Sequence, residues 1–469
     1  MLENLRSLFL LGWLFAGLLF TTNVVCASKK SIDNESIAAT ADKISQAYTD
    51  MGWFNGSVLI IRDGTAIYEK AFGFSDLKNK VPNQLTTKYN LGSIVKNYTA
   101  VLVLQQIERG EIKLEDKLSK FDLGFPKKIA DKISISQLLS HQSGFADIFT
   151  IEYNADRLAF DTIEKKLALL KNSPLLFEPG TDHQYSNYGY IVLGAILGKI
   201  TGKSYSELLE QNIFNLLKLK NTHLSHKDNI KNFSKRYSFT YRGEQKFVGV
   251  TEHADPAGGI ESNVYDTSHF YYALFNSNFI LSPDSLKTFK KLFSAPKDSW
   301  HTFGGGVGIS SAVEIDFKSN TEIVVLSNSD KLVAELISGR IFQFVREGKY
   351  SPTRINEQAF TYQMYSKQGK EYLINNFSKE YDEAGYSIFK GRVINEVGMA
   401  LLKDKDYKEA IDMFQVLASI FPTAPQAYDS LAWGHLKKGD PQKAKKLFTK
   451  ALLLNSNFQS EYSKDNYSN

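Results

Sequence analysis

Gly56-Ser57-Val58-Leu59-Ile60-Ile61-Arg62 and Thr65-Ala66-Ile67-Tyr68-Glu69-Lys70 flank the pair Asp63-Gly64. Two β-prone runs joined by Asp-Gly predict a tight hairpin, because both turn positions need a backbone conformation that Gly and Asp tolerate. A second hairpin is predicted far along the chain, with strands at 311–317 and 322–326 joined through Lys318-Ser319-Asn320, and an amphipathic helix at about 332–346 follows it. A short helix at 37–48 precedes the first hairpin, and the chain between the hairpins is mainly helical, including 98–108, 190–200 and 205–217. Strands at both ends with helices between predict an α+β fold. Its single antiparallel sheet is built from N- and C-terminal strands, flanked by helices and carrying an inserted helical lobe.

The 469 residues exceed what one compact core usually holds, so two or three domains are expected. Hydrophobic content of 43% and charged content of 23% exclude a disordered or fibrous chain. The net charge of +5 is spread along the chain rather than gathered in blocks, which argues against a nucleic-acid partner. Residues 1–27 read as a signal peptide: Arg6, an apolar run from Leu8 to Phe20, then Val25-Cys26-Ala27-Ser28 with small residues placed for cleavage after Ala27. That predicts export to the periplasm or cell envelope, or secretion. Membrane contact would arise only through an uncleaved signal or a lipid on Cys26. Cys26 is the only cysteine, so the mature chain would have neither a disulfide nor a cysteine nucleophile.

Past residue 348 the pattern changes. A polar, Lys- and Tyr-rich connector is expected over 349–385, followed by two repeats over 386–460. Ala400 and Gly434, Leu402 and Leu436, Ala410 and Ala444, and Phe414 and Phe448 are each 34 residues apart. This is the tetratricopeptide period, with small residues where paired helices cross and aromatics filling the gap. Such a unit either binds a protein partner or packs as a plain helical hairpin on the domain before it, here expected over 35–348.

Ser93-Ile94-Val95-Lys96 is a Ser-x-x-Lys sequence, a pattern that also occurs at Ser75, Ser294 and Ser387. Only Ser93 lies just before a long apolar-periodic helix, where its N–H sits at a positive helix end and Lys96 falls on the same face one turn later. A serine hydroxyl needs a nearby base, and a lysine serves when burial or neighbouring cations depress its pKa. Pro179 to Tyr190 contains Tyr185-Ser186-Asn187 and leads into an apolar helix. A tyrosine there can exchange a proton with the serine, and the Asn187 amide can bond both a lysine and a substrate amide.

Four segments occur in order: Leu91 to Lys96, Leu138-Leu139-Ser140-His141-Gln142-Ser143-Gly144, Phe177 to Gly194, and Pro256-Ala257-Gly258-Gly259-Ile260-Glu261-Ser262 through Asp266. Together they resemble the family of class C β-lactamases, D-alanyl-D-alanine peptidases and esterases, over roughly residues 55–346. The resemblance implies a β-lactamase/transpeptidase-like fold. It implies Ser93 as the acylated nucleophile, Lys96 as its lysine partner, Tyr185 as base and Asn187 as the substrate-positioning amide. Ser-x-x-Lys is shared with the related class A enzymes, whereas Tyr-x-Asn points to the class C branch.

The family's third element, a Lys or His followed by a small residue and glycine on the strand bordering the site, has no clean counterpart here. In Trp300-His301-Thr302-Phe303-Gly304-Gly305-Gly306-Val307-Gly308 the basic position falls on Thr302, on Phe303 with one deletion, or on His301 with a shifted frame. Gly305 is expected to contribute an oxyanion N–H, which needs no side chain. His141 reads as structural, His183 as ring packing, and His253 as a cleft-lining candidate. The eight histidines have no metal-ligand spacing, and Gly304-Gly305-Gly306 lacks the Lys and hydroxyl of a phosphate loop. No metal or cofactor is therefore expected. The sequence predicts a serine hydrolase acting on a small-molecule or peptide substrate. The alternative is a non-catalytic scaffold pairing an inactive hydrolase domain with a peptide-binding repeat unit.

Overall fold

The computed structural model describes residues 32–224, 232–249 and 252–460. The predicted signal segment with Cys26 lies outside the described residues. Helix α1 (Asn34–Asp50) starts at Asp33, whose carboxylate accepts the Ser36 N–H at 2.7 Å. Strands β1 (Gly56–Arg62) and β2 (Thr65–Phe72) form the predicted hairpin, with positive φ at both Asp63 and Gly64. Strands β3 (Ser299–Gly306), β4 (Ile309–Asp316) and β5 (Thr321–Ser327) follow near the other end of this domain. The sheet order is β3-β4-β5-β1-β2, every pair antiparallel, and β1 joins β5 from Gly56 opposite Ser327 to Arg62 opposite Thr321.

Strand alternation assigns the two faces of this sheet. Val58, Ile60, Ile323 and Val325 pack under α1 and the later helix Val333–Glu347. Leu59, Val324 and Leu326 face the helical lobe. Central to that lobe are α2 (Val95–Glu108) and α3 (Asn187–Thr201). Helix α2 is buried without a break from Val95 to Gln106, so its apolar residues pack on every side and its buried polar ones, Lys96 and Thr99 among them, bond to partners inside the protein. The helix predicted at 205–217 is instead a short α-helix, Tyr205–Leu209, passing into a π-helical turn, Glu210–Phe214. Leu208 and Leu209 stand five residues before Ile213 and Phe214. All four are buried, and five is the spacing that a π turn keeps on one face.

The stretch 349–385, read from sequence as a connector, holds two helices, Glu357–Gln368 and Lys370–Glu383. They share one apolar core with the four that follow: Lys390–Lys403, Tyr407–Ile420, Pro425–Lys438 and Pro441–Leu454. A polar composition misleads here because tyrosines carry much of the packing; Leu373, Phe377 and Tyr381 form one buried stripe. Phe414 is wedged between Gly398 and Gly434, where an added Cβ would fall 2.4 and 3.1 Å from its ring. Gly398, rather than the half-buried Ala400, is thus the close-approach residue of the first pair. The C-terminal helices are tied to the sheet domain through Arg242, which pairs with Asp406 at 2.6 Å and lies over the Tyr362 ring.

Phe414→Ala empties the space between the two glycines and is expected to lower the stability of the helical region by about 3–5 kcal/mol. Urea unfolding followed by far-UV circular dichroism reads this loss. An unchanged transition would show that the aromatic plug is not what joins these helices.

Candidate active site

Ser93 lies in a single 3-10 turn, Gly92–Ile94, immediately ahead of α2. The turn is fixed from both sides. Gly92 has φ +53° and approaches β3 so closely that a Cβ would meet the Gly304–Gly305 backbone at 2.9 Å. A Cβ on Gly304 would in turn fall 1.9 Å from the Leu91 carbonyl oxygen. Ser311 of β4 donates to that same carbonyl at 2.7 Å. The glycine run of β3 therefore lets the sheet edge and the serine turn touch, backbone to backbone.

Lys96 is buried and donates to three oxygens: Ser93 Oγ at 3.2 Å, Asn187 Oδ1 at 2.8 Å and the Ala257 carbonyl at 2.8 Å. The Tyr185 hydroxyl donates to Ser93 Oγ at 2.8 Å, and the Tyr185 ring lies 4.9 Å from Lys96 Nζ. Ser93, Lys96, Tyr185 and Asn187, which are spread over 95 positions of sequence, thus meet at one point. Ser93, Tyr185 and Asn187 border a cleft of about 300 Å³ that Gly305 also lines, with Lys96 buried behind them.

Tyr185 rests on His141, with ring centroids 4.4 Å apart and planes inclined by 30°. His141 Nδ1 accepts the Ser186 N–H at 3.2 Å, so it is neutral at that nitrogen. Burial first, and then the charge of Lys96, hold its pKa down at about 3. His141 is therefore a platform for the tyrosine. His183 packs edge-on against His141, and His253 lines the cleft with its Nε2 bonded to the Leu158 carbonyl at 3.1 Å.

The turn that supplies the Ala257 carbonyl is itself pinned. Asp255 accepts the Ala257 N–H at 2.7 Å and the Gly258 N–H at 3.1 Å, and it pairs with the buried Lys166 at 2.5 Å. Pro256 sits against Gly194 of α3, where a Cβ would come within 2.1 Å of the proline ring. Thr99 of α2 donates to the Pro256 carbonyl at 2.6 Å.

The three candidates for the missing basic residue are not in the cleft. His301 bonds Glu314 at 2.9 Å and Ser299 at 3.0 Å and packs on Phe342, beneath the helix Val333–Glu347. Thr302 is buried, and Phe303 is exposed outside the cleft lining. The cleft cation is Arg236, from the short strand Arg236–Phe239, which sequence reasoning missed. Its only sequence signal is an arginine opening a short aromatic strand, and nothing local marks it as catalytic. Arg236 is nearly buried and pairs with Glu261 at 3.3 Å. Burial pushes the Glu261 carboxyl up to about 7, against the pull of Arg236. Asp147, also unflagged by sequence, lines the cleft beside Asn187.

This sheet with its helical lobe and serine-lysine-tyrosine cluster defines a penicillin-recognising serine hydrolase fold. Residues 41–343 match the Beta-lactamase family, and the chain belongs to it. It is 28% identical over 247 residues to Penicillin-binding protein 4* of Bacillus subtilis (strain 168), a match of 48% of this chain and 53% of that protein, so the chain spans about half the length of that relative. It is 27% identical over 341 residues to Protein flp of Staphylococcus aureus (strain N315), covering 66% of this chain and 67% of that one. The octameric penicillin-binding protein homologue from Pyrococcus abyssi shares its fold, with a TM-score of 0.59 at 20% identity over 72% of this chain and 82% of that one.

Gly304→Ala tests the close approach that sets the serine turn. The added methyl forces β3 away from Leu91, so labelling of Ser93 by a fluorophosphonate is expected to slow at least tenfold in protein that retains wild-type circular dichroism. Labelling at the wild-type rate would show that the turn holds its place without this contact.

Proposed function

We propose that this chain is an exported serine hydrolase working through a Ser93 acyl-enzyme on a peptide, D-amino-acid amide or ester. The observation that supports this most is the convergence of Lys96 Nζ and the Tyr185 hydroxyl on Ser93 Oγ at 3.2 and 2.8 Å. In the proposed sequence the Lys96–Tyr185 pair first gives up one proton, so that one of the two can accept; Ser93 Oγ then bonds to the substrate carbonyl carbon, opening its π bond to oxygen, while the serine proton passes to that pair. Backbone N–H groups of Ser93 and Gly305 hold the oxyanion. The pair then protonates the leaving amine or alcohol as its bond to carbon breaks. A water attacks the acyl-enzyme, gives its proton to the same pair and releases the acid. The Leu8 to Ala27 segment supports export to the cell envelope. No helix among the described residues is long and apolar enough to cross a membrane. The 34-residue spacing and the Phe414 plug support two tetratricopeptide-like repeats over 386–460 that serve a protein partner beside a hydrolase domain over 35–348.

A fluorescent penicillin or fluorophosphonate is expected to label the wild type at Ser93. Ser93→Ala should abolish both labelling and turnover of p-nitrophenyl acetate, and Tyr185→Phe should slow acylation about 10²–10⁴-fold. Turnover that survives in Ser93→Ala would remove the nucleophile assignment, and with it the mechanism.

Carboxylate recognition follows from Arg236 being held by Glu261. A substrate carboxylate competes with Glu261 for the guanidinium, so neutral esters are favoured while Glu261 is ionised. Because burial holds its carboxyl near 7, Glu261 is neutral below that pH and Arg236 is then released. The ratio of kcat/KM for a free-acid substrate over its methyl ester should rise as pH falls through about 7. Glu261→Gln should make the ratio high and flat with pH. A charge-assisted hydrogen bond of about 1.5–3 kcal/mol sets the change at roughly ten- to hundredfold. A ratio indifferent to both pH and Glu261→Gln would exclude Arg236 from substrate binding.

A further inference from the structure

The Asn187 amide is oriented by two charged neighbours. A lysine only donates, so Asn187 Oδ1 must face Lys96, and this turns Nδ2 toward Asp147, whose two oxygens lie 3.1 and 3.0 Å away. Asp147 Oδ1 is further occupied by the backbone N–H groups of Asn187 at 3.0 Å and Ile148 at 2.7 Å. Oδ2 accepts only from Asn187 Nδ2 among the described residues, although a carboxylate oxygen has room for two donors. Asp147 lines the cleft together with Ser93 and Tyr185. Glu252, on the same wall, is paired with Arg157 at 3.5 Å, whereas no cation among the described residues pairs with Asp147.

The wall beside the serine therefore offers a negative acceptor next to the Asn187 amide. We infer that Asp147 Oδ2 forms a subsite for a substrate ammonium, selecting amino-acid or peptide amides and esters with a free α-amine over their N-acylated counterparts. An α-ammonium there gains a charge-assisted hydrogen bond. An N-acyl carbonyl in the same place faces a carboxylate with no hydrogen between the two acceptors. This deepens the acyl-enzyme reading and rests on it.

The test compares kcat/KM of the full-length protein for D-alanine p-nitroanilide and N-acetyl-D-alanine p-nitroanilide, with p-nitrophenyl acetate as a substrate lacking either group. The wild type is expected to favour the free amine at least tenfold, and Asp147→Asn, which can donate as well as accept, should bring the ratio to one or below. The proposal is overturned if the wild type cleaves p-nitrophenyl acetate but treats the two anilides alike or prefers the acetylated one. It is also overturned if Asp147→Asn keeps the wild-type ratio. Inertness toward all three substrates, together with no fluorophosphonate labelling of Ser93, would overturn the hydrolase reading and this subsite with it.

Discussion

The site is built around one buried cation. Taking a lysine out of water is costly unless its three hydrogens find acceptors, and Lys96 finds them in Ser93, Asn187 and Ala257. Those acceptors come from the serine turn, the start of α3 and the loop after Asp255. Satisfying one ammonium therefore fixes three separate segments against each other. The Ala257 carbonyl can hold its place because the turn that carries it is anchored to a second buried cation, Lys166, through Asp255. The two lysines never meet, but the loop between them is held at both ends.

The sheet sets where this cation stands. Its central strand β5 and the neighbouring β1 come from opposite ends of the domain, so the sheet cannot be completed until the helical lobe has been closed into a loop. Closure brings the β3 edge against the serine turn, and only glycine at 92 and 304 permits the backbones to approach so closely. The glycines that seem least informative as side chains are those on which the position of Ser93 depends.

The sequence carried the sheet, its two hairpins and the serine-lysine-tyrosine-asparagine cluster because each has a local cause. Asp63-Gly64 states its own turn, Ser93 and Lys96 share a helical face, and Tyr185 precedes an apolar helix start. The π turn at Glu210–Phe214 was not legible, since apolar spacing in a short segment fits more than one helical period. Nor were the helices at 357–383, where Tyr362, Tyr365 and Tyr381 pack their rings on the apolar core while keeping hydroxyls on polar partners, so that their composition reads as solvent-facing. The basic residue of the third motif was sought along β3, where strand alternation and the packing of His301 beneath Val333–Glu347 deny it access to the cleft. Arg236 arrives there from a different strand, and no local pattern announces such an arrival.

This contrast separates chemistry from recognition in the molecule. The groups that touch the Ser93 oxygen belong to motifs of a few residues, because helix and turn geometry fix short distances locally. The charged groups of the cleft, Arg236 with its partner Glu261 and Asp147, come from segments that are joined only by the finished fold. Asp147 has a double effect. By accepting from Asn187 Nδ2 it holds the Asn187 oxygen on Lys96, and it adds a negative acceptor to the cleft wall beside the amide. The contact that steadies Lys96 through Asn187 thus also sets the charge of the cleft wall, so that charge cannot be altered without also disturbing the hydrogen bonding of Lys96.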